Sequence, residues 1–294
     1  CHGPVQDQRA ACRVLGHWLR LLKDNVGTAD PFAHDQETQG VITEDRIAEL
    51  AEQVSAEFVE AVFEPFLELL AAASIREANP PFNDRIWYGG FDNSIHQESD
   101  ALLISLLSAL KQIAASSPDS FRSALDGLRS SECRTAHAVL LRALTIEGGG
   151  WKPFAVDYLE ETWTRWGLWY HYQALWDCRC LLQTLAPHLE EQEVARLEPW
   201  ILNHFKQWRP STADERAEGT EYRRERAHWF RWSYGKEQFT LLDALPQNKL
   251  YRAGRRRLAE LSRKSASLGW QLERPTRSEV ELPYRRYPVR PLRG

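Results

Sequence analysis

The chain has 294 residues, 43% of them hydrophobic and 27% charged, with a formal net charge of −4. That length suits one extended array or two compact domains. No apolar run approaches the ~18 residues needed to cross a membrane, and the opening from Cys1 to Arg13 is polar and mixed, unlike a secretory signal, so a soluble, cytoplasmic protein is expected.

Residues 7–23 read as a helix with Val14, Trp18, Leu21 and Leu22 on one side. Residues 24–42 carry the Gly, Pro and Asp punctuation of a loop. Thr43 is a candidate N-cap, and Glu44 and Asp45 in the following turn favour the helix dipole. Ile47, Leu50, Ala51, Val54 and Phe58 follow at helical spacing. Pro65 should kink this stretch or start a second helix that carries Phe66, Leu69, Leu70 and Ala73. Residues 79–96 form a long aromatic loop, which suits a boundary or a functional segment. In it Asp84 and Arg85 are expected to act as an ion pair or a cap rather than as a partner contact.

An array of short amphipathic helices is expected next. Leu103, Leu106, Leu107, Leu110 and Ile113 make one apolar face, and Ser117-Pro118 opens a helix with Phe121, Leu125 and Leu128. Ser131 caps the next, with Ala136, Val139, Leu140, Ala143 and Leu144 inward. Pro153 starts one bearing Phe154, Tyr158, Leu159, Thr162 and Trp163. Leu175, Cys178, Leu182 and Leu185 form a further face, as do Val194, Leu197, Ile201, Phe205 and Trp208, where Pro199 should bend the helix. Leu241, Leu242 and Leu245 lie on a short helix, and Tyr251, Leu258 and Leu261 on the last. The tail from Ser265 is Pro- and Arg-rich and should be extended.

Such helices cannot bury their apolar faces alone and must stack on neighbours, and the pairs recur about every 35–45 residues. The expected fold is therefore all-α: a solenoid-like array of paired antiparallel helices of HEAT or TPR type. Its parts are an N-terminal helical unit (1–78), the aromatic loop or linker (79–96), the helical-repeat array (97–264) and the tail (265–294). No sustained alternation of apolar and polar residues suggests a sheet.

The five cysteines are scattered, and Cys178 and Cys180 point about 200° apart on a helix, which suits buried free thiols better than a metal site. The nine histidines form no H-E-x-x-H or paired Cys/His set, so no metal is expected. Glu160 and Glu161 are adjacent and face different directions, so they make no acid–base pair. Arg223 and His228 are spaced R-x4-H, as in helical HEPN-type ribonucleases, where His would move the proton and Arg would hold the phosphate. The segment is so rich in Arg that chance also meets this pattern, and the same holds for Arg13 and His17.

The aromatic content is the sharper signal. Nine of the twelve Trp lie between Trp151 and Trp232. Trp163, Arg165, Trp166 and Trp169 form one candidate partner-binding cluster; Arg226, Trp229, Arg231 and Trp232 form another. Trp and Arg are enriched at interface hot spots, although most large aromatics fill gaps between packed elements. Charge is uneven as well: residues 1–100 hold 18 acids against 7 Lys/Arg, and residues 251–294 hold 12 Lys/Arg against 4 acids. The basic end could meet nucleic acid or an acidic protein face, or the two ends could compensate each other.

Seven segments carry a family resemblance: PPFNDRIWY (80–88), SDALLISLLSALKQIAASSPDSF (99–121), AHAVLLRAL (136–144), the run from Ala155 to Leu189, EVARLEPWILNHF (193–205), YGKEQFTLLDALP (234–246) and RRRLAELSRK (255–264). In order and spacing they resemble the C-terminal helical region of bacterial STAND-type ATPases of the antiviral, Avs-like class. Ser265 stands where that family usually places Phe. The resemblance implies that the chain, which contains no Met, is a fragment of a larger protein with an N-terminal effector and a central NTPase. It further implies a region that senses a phage-derived protein or docks on its own NTPase domain and controls oligomerisation of the parent. ATP and Mg would bind only in that NTPase domain: no G-x-x-x-x-G-K-[ST] occurs here, so no cofactor and no enzyme activity are expected of this piece.

Overall fold

A computed structural model describes residues 5–24, 26, 43–76, 80–87, 98–146, 149–162, 172–204, 235–270 and 272. The chain is all-α. Among the described residues, α1 (Val5–Asp24), α2 (Glu44–Gln53), α3 (Ser55–Ala73), α4 (Glu98–Ser116), α5 (Pro118–Ser130) and α6 (Arg134–Ala143) belong to one compact unit that ends at Leu144. The second unit begins at Thr145 and holds α7 (Lys152–Glu161), α8 (Tyr172–Leu185), α9 (Glu191–His204), α10 (Lys236–Leu242) and α11 (Arg252–Leu268). A two-residue antiparallel ladder, β1 (Ser74–Ile75) with β2 (Asn83–Asp84), is the only sheet among these residues.

The division falls at Leu144 and Thr145, not in the 79–96 segment read as a linker. The reason is packing: α2 and α3 both lie against α4, so the helices on either side of that segment share one core. The α4 helix is central to it, with Leu102, Leu103, Leu106, Leu110 and Ile113 all buried. Its neighbours α2, α3, α5 and α6 cover more of its surface than a single stripe would need.

Helix α1 does not pair antiparallel with a neighbour. It runs parallel to α3, as the ion pairs Arg9–Glu57 (2.6 Å) and Lys23–Glu68 (2.9 Å) show by their near-constant offset in sequence. Between them Gly16 approaches the Ala61 carbonyl so closely that a Cβ would stand 2.1 Å from its oxygen. That carbonyl is the one whose helical donor would have been Pro65, which has no N–H. Proline therefore neither stops nor starts a helix here. The break falls instead at Val54 (φ −137°, ψ 53°), which lets α2 lie on α4 while α3 lies on α1. The inward face of α1 is Cys12, Leu15, Trp18, Leu19 and Leu22, whereas Val14 and Leu21 are more than half exposed. The buried stripe is thus turned by about a quarter of the helix circumference from the expected one.

The Thr43 cap forms as expected, its Oγ1 accepting from Arg46 N at 3.3 Å. Ser131 does not cap α6. Residue Phe82 bridges to Cys133 there, with Phe82 N donating to Glu132 O (2.7 Å) and Arg134 N donating to Phe82 O (2.8 Å). Ser131 Oγ accepts only from Cys133 N, at 3.2 Å.

In the second unit, α8 buries Leu175, Cys178, Leu182 and Leu185, and α9 buries Val194, Leu197 and Ile201, as their spacing predicts. Phe205 and Trp208, expected on the same face as these last three, lie outside the described residues. Helix α9 continues through Pro199. Tyr251 is 55% exposed, contrary to its expected place on the inner face, because it precedes α11 in extended conformation. Helix α11 runs on to Leu268, past the Ser265 at which the tail was expected to begin, and Gly269 ends it in the left-handed conformation (φ 66°). Cys12, Cys133 and Cys178 are buried and Cys180 is half-buried, and none of the four is in a disulfide. No helix among the described residues is long and apolar enough to cross a membrane.

Candidate functional site

Residues 80–87, part of the first resemblance segment, fold around one carboxylate. Asp84, 1% exposed, accepts from Ile86 N (3.0 Å), Trp87 N (2.6 Å) and Thr135 Oγ1 (2.6 Å). The first two bonds close an Asx-type turn from its own side chain, and the third ties that turn to the first residues of α6. The Trp87 ring then packs against Phe66 of α3 at a tilt of 59° (centroids 5.6 Å apart), and its Nε1 donates to Ser99 O of α4 (3.1 Å). Asn83 Oδ1 accepts from the Arg134 guanidinium. Burial pushes the Asp84 carboxyl above its ordinary value of 3.8, against the three hydrogen bonds that favour its charge. Asp84 thus takes the second of the two roles expected of it, an ion pair or a cap.

Beside this knot is a cleft of about 230 Å³ whose walls include Ser74, Arg76, Phe82, Gly127, Glu132 and Cys133. Cys133 Sγ lies 2.7 Å from Ser74 Oγ, and both reach the Leu70 carbonyl at the end of α3. The thiol is 1% exposed, and burial raises its pKa to about 11. It is held as a neutral thiol at neutral pH, and a thiolate is what nucleophilic chemistry needs. Cys12, also raised to about 11 by burial, and Cys178, raised well above its ordinary value, are inert for the same reason.

The second unit has a comparable polar centre, built across longer sequence distances. Glu198 on α9 is 2% exposed, and its two oxygens accept from Tyr251 N (2.8 Å) and Gly254 N (2.9 Å). It caps α11 from another helix, where no side chain from the cap position itself does so. The negative charge also suits the positive end of the helix dipole. Gly254 is required by this approach, since a Cβ there would stand 2.6 Å from the Glu198 carboxyl. Arg179 of α8, 7% exposed, donates to Thr240 O (2.6 Å) and to Asp243 Oδ2 (2.8 Å), closing the end of α10. Gln238 of α10 donates to Ile201 O and Leu202 O of α9 and accepts from Arg257 Nε of α11.

These groups bind backbone ends and hold helices in register; none aligns a nucleophile with a base. Among the described residues no group of three or more His, Cys, Asp or Glu is placed to hold a metal ion. Glu198 was not singled out from the sequence. Its signal was an acid on the stripe of Val194, Leu197 and Ile201, at i+4 from Val194. Arg179 and Gln238 gave none, because their acceptors, Thr240 O and Asp243 Oδ2 for the first and Ile201 O and Leu202 O for the second, are brought to them only by the fold.

The sequence-derived candidates fall elsewhere. Trp163, Arg165, Trp166, Trp169, Arg223, Arg226, His228, Trp229, Arg231 and Trp232 all lie outside the described residues. Arg13 and His17 are exposed on α1. No protein-family model matches the chain, and no curated protein and no solved structure matches it.

Proposed function

We propose that this chain is a cytoplasmic, protein-binding sensor or scaffold region of a larger STAND-type NTPase that acts in antiphage defence. It binds a phage-derived protein, or docks on its own NTPase domain, and so controls oligomerisation of the parent. A trigger that binds only the released form shifts the population toward assembly, by as much as its affinities for the two forms differ. ATP and Mg belong to the NTPase domain, and this region acts by binding rather than by catalysis.

The observation that carries this reading is the order and spacing of seven sequence segments from Pro80 to Lys264. It is supported by the use made of the buried polar groups Glu198, Arg179 and Gln238, whose bonds join one helix to the backbone of another. Rigid stacked helices of this kind present side chains at fixed spacing to a partner.

The test begins with the parent reading frame. A Walker-type lysine upstream of Cys1, preceded by an effector domain, is expected. The purified parent should then assemble and hydrolyse ATP only when a phage protein selected through escape mutants is added. A parent with no nucleotide-binding loop would sink the reading. RNA cleavage that disappears in His228→Ala would instead establish the ribonuclease alternative.

A further inference from the structure

Helix α11 has two faces of different chemistry. Gly254, Leu258 and Leu261 are buried against the second unit. Arg252, Arg255, Arg256 and Arg263 are exposed. At about 100° per residue these four guanidinium groups fall within an arc of about 100°, opposite the buried face. None takes part in any of the ion pairs or hydrogen bonds of the described residues, whereas the neighbouring Arg257 is engaged by Glu260 (2.7 Å) and Gln238 (2.9 Å). The residues that share the exposed arc are small: Ala259 and Ala266.

We propose that this face of α11 binds the phosphate backbone of a single-stranded nucleic acid. The inference does not depend on the sensor reading. Four arginines on one helix face, without a side-chain partner among the described residues, cost self-repulsion that a polyanion relieves, and Arg meets phosphate with paired N–H donors. A protein partner fits less well. The centre of a protein interface is apolar and depleted in charge, and this arc has no large apolar side chain to bury. The stripe from Arg252 to Arg263 is about 16 Å long, the length of about five stacked nucleotides at ~3.4 Å each. At its start Tyr251 is held by its backbone N–H on Glu198 (2.8 Å) while the residue stays 55% exposed. Its ring is therefore placed on a fixed main chain at the end of the stripe, as a stacking platform needs.

The test is fluorescence anisotropy of the whole chain with a labelled oligo-dT or oligo-U across 50–200 mM salt. Four phosphate contacts on a single strand add about 2.8 to the slope of log affinity against log salt, or about 50-fold in affinity over that range. The joint variant Arg252→Ser, Arg255→Ser, Arg256→Ser, Arg263→Ser should lose that increment with an unchanged far-ultraviolet spectrum and melting temperature, since all four side chains are exposed. Tyr251→Ala should weaken binding at least about 5-fold with the slope unchanged. Equal slopes for wild type and the joint variant would overturn the proposal. So would equal binding of poly-glutamate and the oligonucleotide, which would assign the face to acidic proteins.

Discussion

Each unit has a buried carboxylate that accepts from main-chain N–H groups, Asp84 in the first and Glu198 in the second, and the contrast between them shows how differently an acid can be used. Asp84 satisfies its own loop: two of its three donors lie two and three residues away in sequence, and Thr135 anchors the turn to α6. Glu198 satisfies a helix 53 to 56 residues further along the chain. The first is a local motif that tertiary structure has enclosed. The second exists only once α9 and α11 are packed, so its bonds report directly on that packing.

The largest effect is expected where the long-range acid is removed. Glu198→Ala leaves the N–H groups of Tyr251 and Gly254 without their acceptor at the start of α11, and should cost about 2–4 kcal/mol in urea unfolding. Hydrogen exchange should then show α11 opening before the first unit does. If α11 keeps its protection, the cap is not what docks it.

Gly16→Ala should come next. In an isolated helix this change favours helix by about 1 kcal/mol. Here the new Cβ meets a backbone oxygen rather than a flexible side chain, so α1 must move off α3, at about 1–3 kcal/mol net cost. A stabilised variant would show that the two helices separate freely. Gly254→Ala makes the parallel test in the second unit, where the clash is with the Glu198 carboxyl. A smaller loss, about 1–2 kcal/mol, is expected there, because a side chain can give way.

The local acid separates from the long-range one by its pH response. Burial raises the folded-state pKa of Asp84 above its ordinary 3.8. The folded protein therefore holds a proton that the unfolded chain has released, and stability falls as pH rises from about 3.8 to the raised value. Asp84→Asn keeps one acceptor oxygen and removes the ionisation. Its stability relative to wild type should improve across that window, measured by urea midpoints at successive pH values. A difference that does not vary with pH would mean that the hydrogen bonds, not burial, set the ionisation of Asp84.

The smallest effect belongs to the surface. Arg196 bonds Asp157 (2.7 Å) and Glu160 (2.5 Å), joining α9 to α7 with all three side chains at least a third exposed. Such pairs are worth about 0–1 kcal/mol and are screened by salt. Arg196→Ala should lower stability by no more than that, and the loss should vanish at high salt. A salt-independent loss would point to packing by the arginine stem instead.

Much of the fold was legible. Helical spacing placed the buried faces of α8 and α9, and Thr43 was read as a cap because N-capping depends on residues three apart in the chain. Asp84 was expected to form an ion pair or a cap, and it caps a turn whose donors lie two and three residues along. The site was far less legible. Its sharpest sequence signal, the Trp and Arg clusters between Trp163 and Trp232, lies outside the described residues, while Arg179 and Gln238, which help organise the second unit, had no local signature. Arg179 looks like any surface arginine until Thr240 and Asp243 are brought to it.

By itself, the sequence determined that the chain forms short amphipathic helices, because side-chain period and capping are properties of neighbouring residues. Tertiary structure alone decided the rest: that α1 runs parallel to α3, that Val54 and not Pro65 breaks the segment, and that the division falls at Leu144. Each of those depends on which faces meet. A glycine facing a proline-freed carbonyl is meaningful only when the two helices touch, and nothing within either helix specifies that contact.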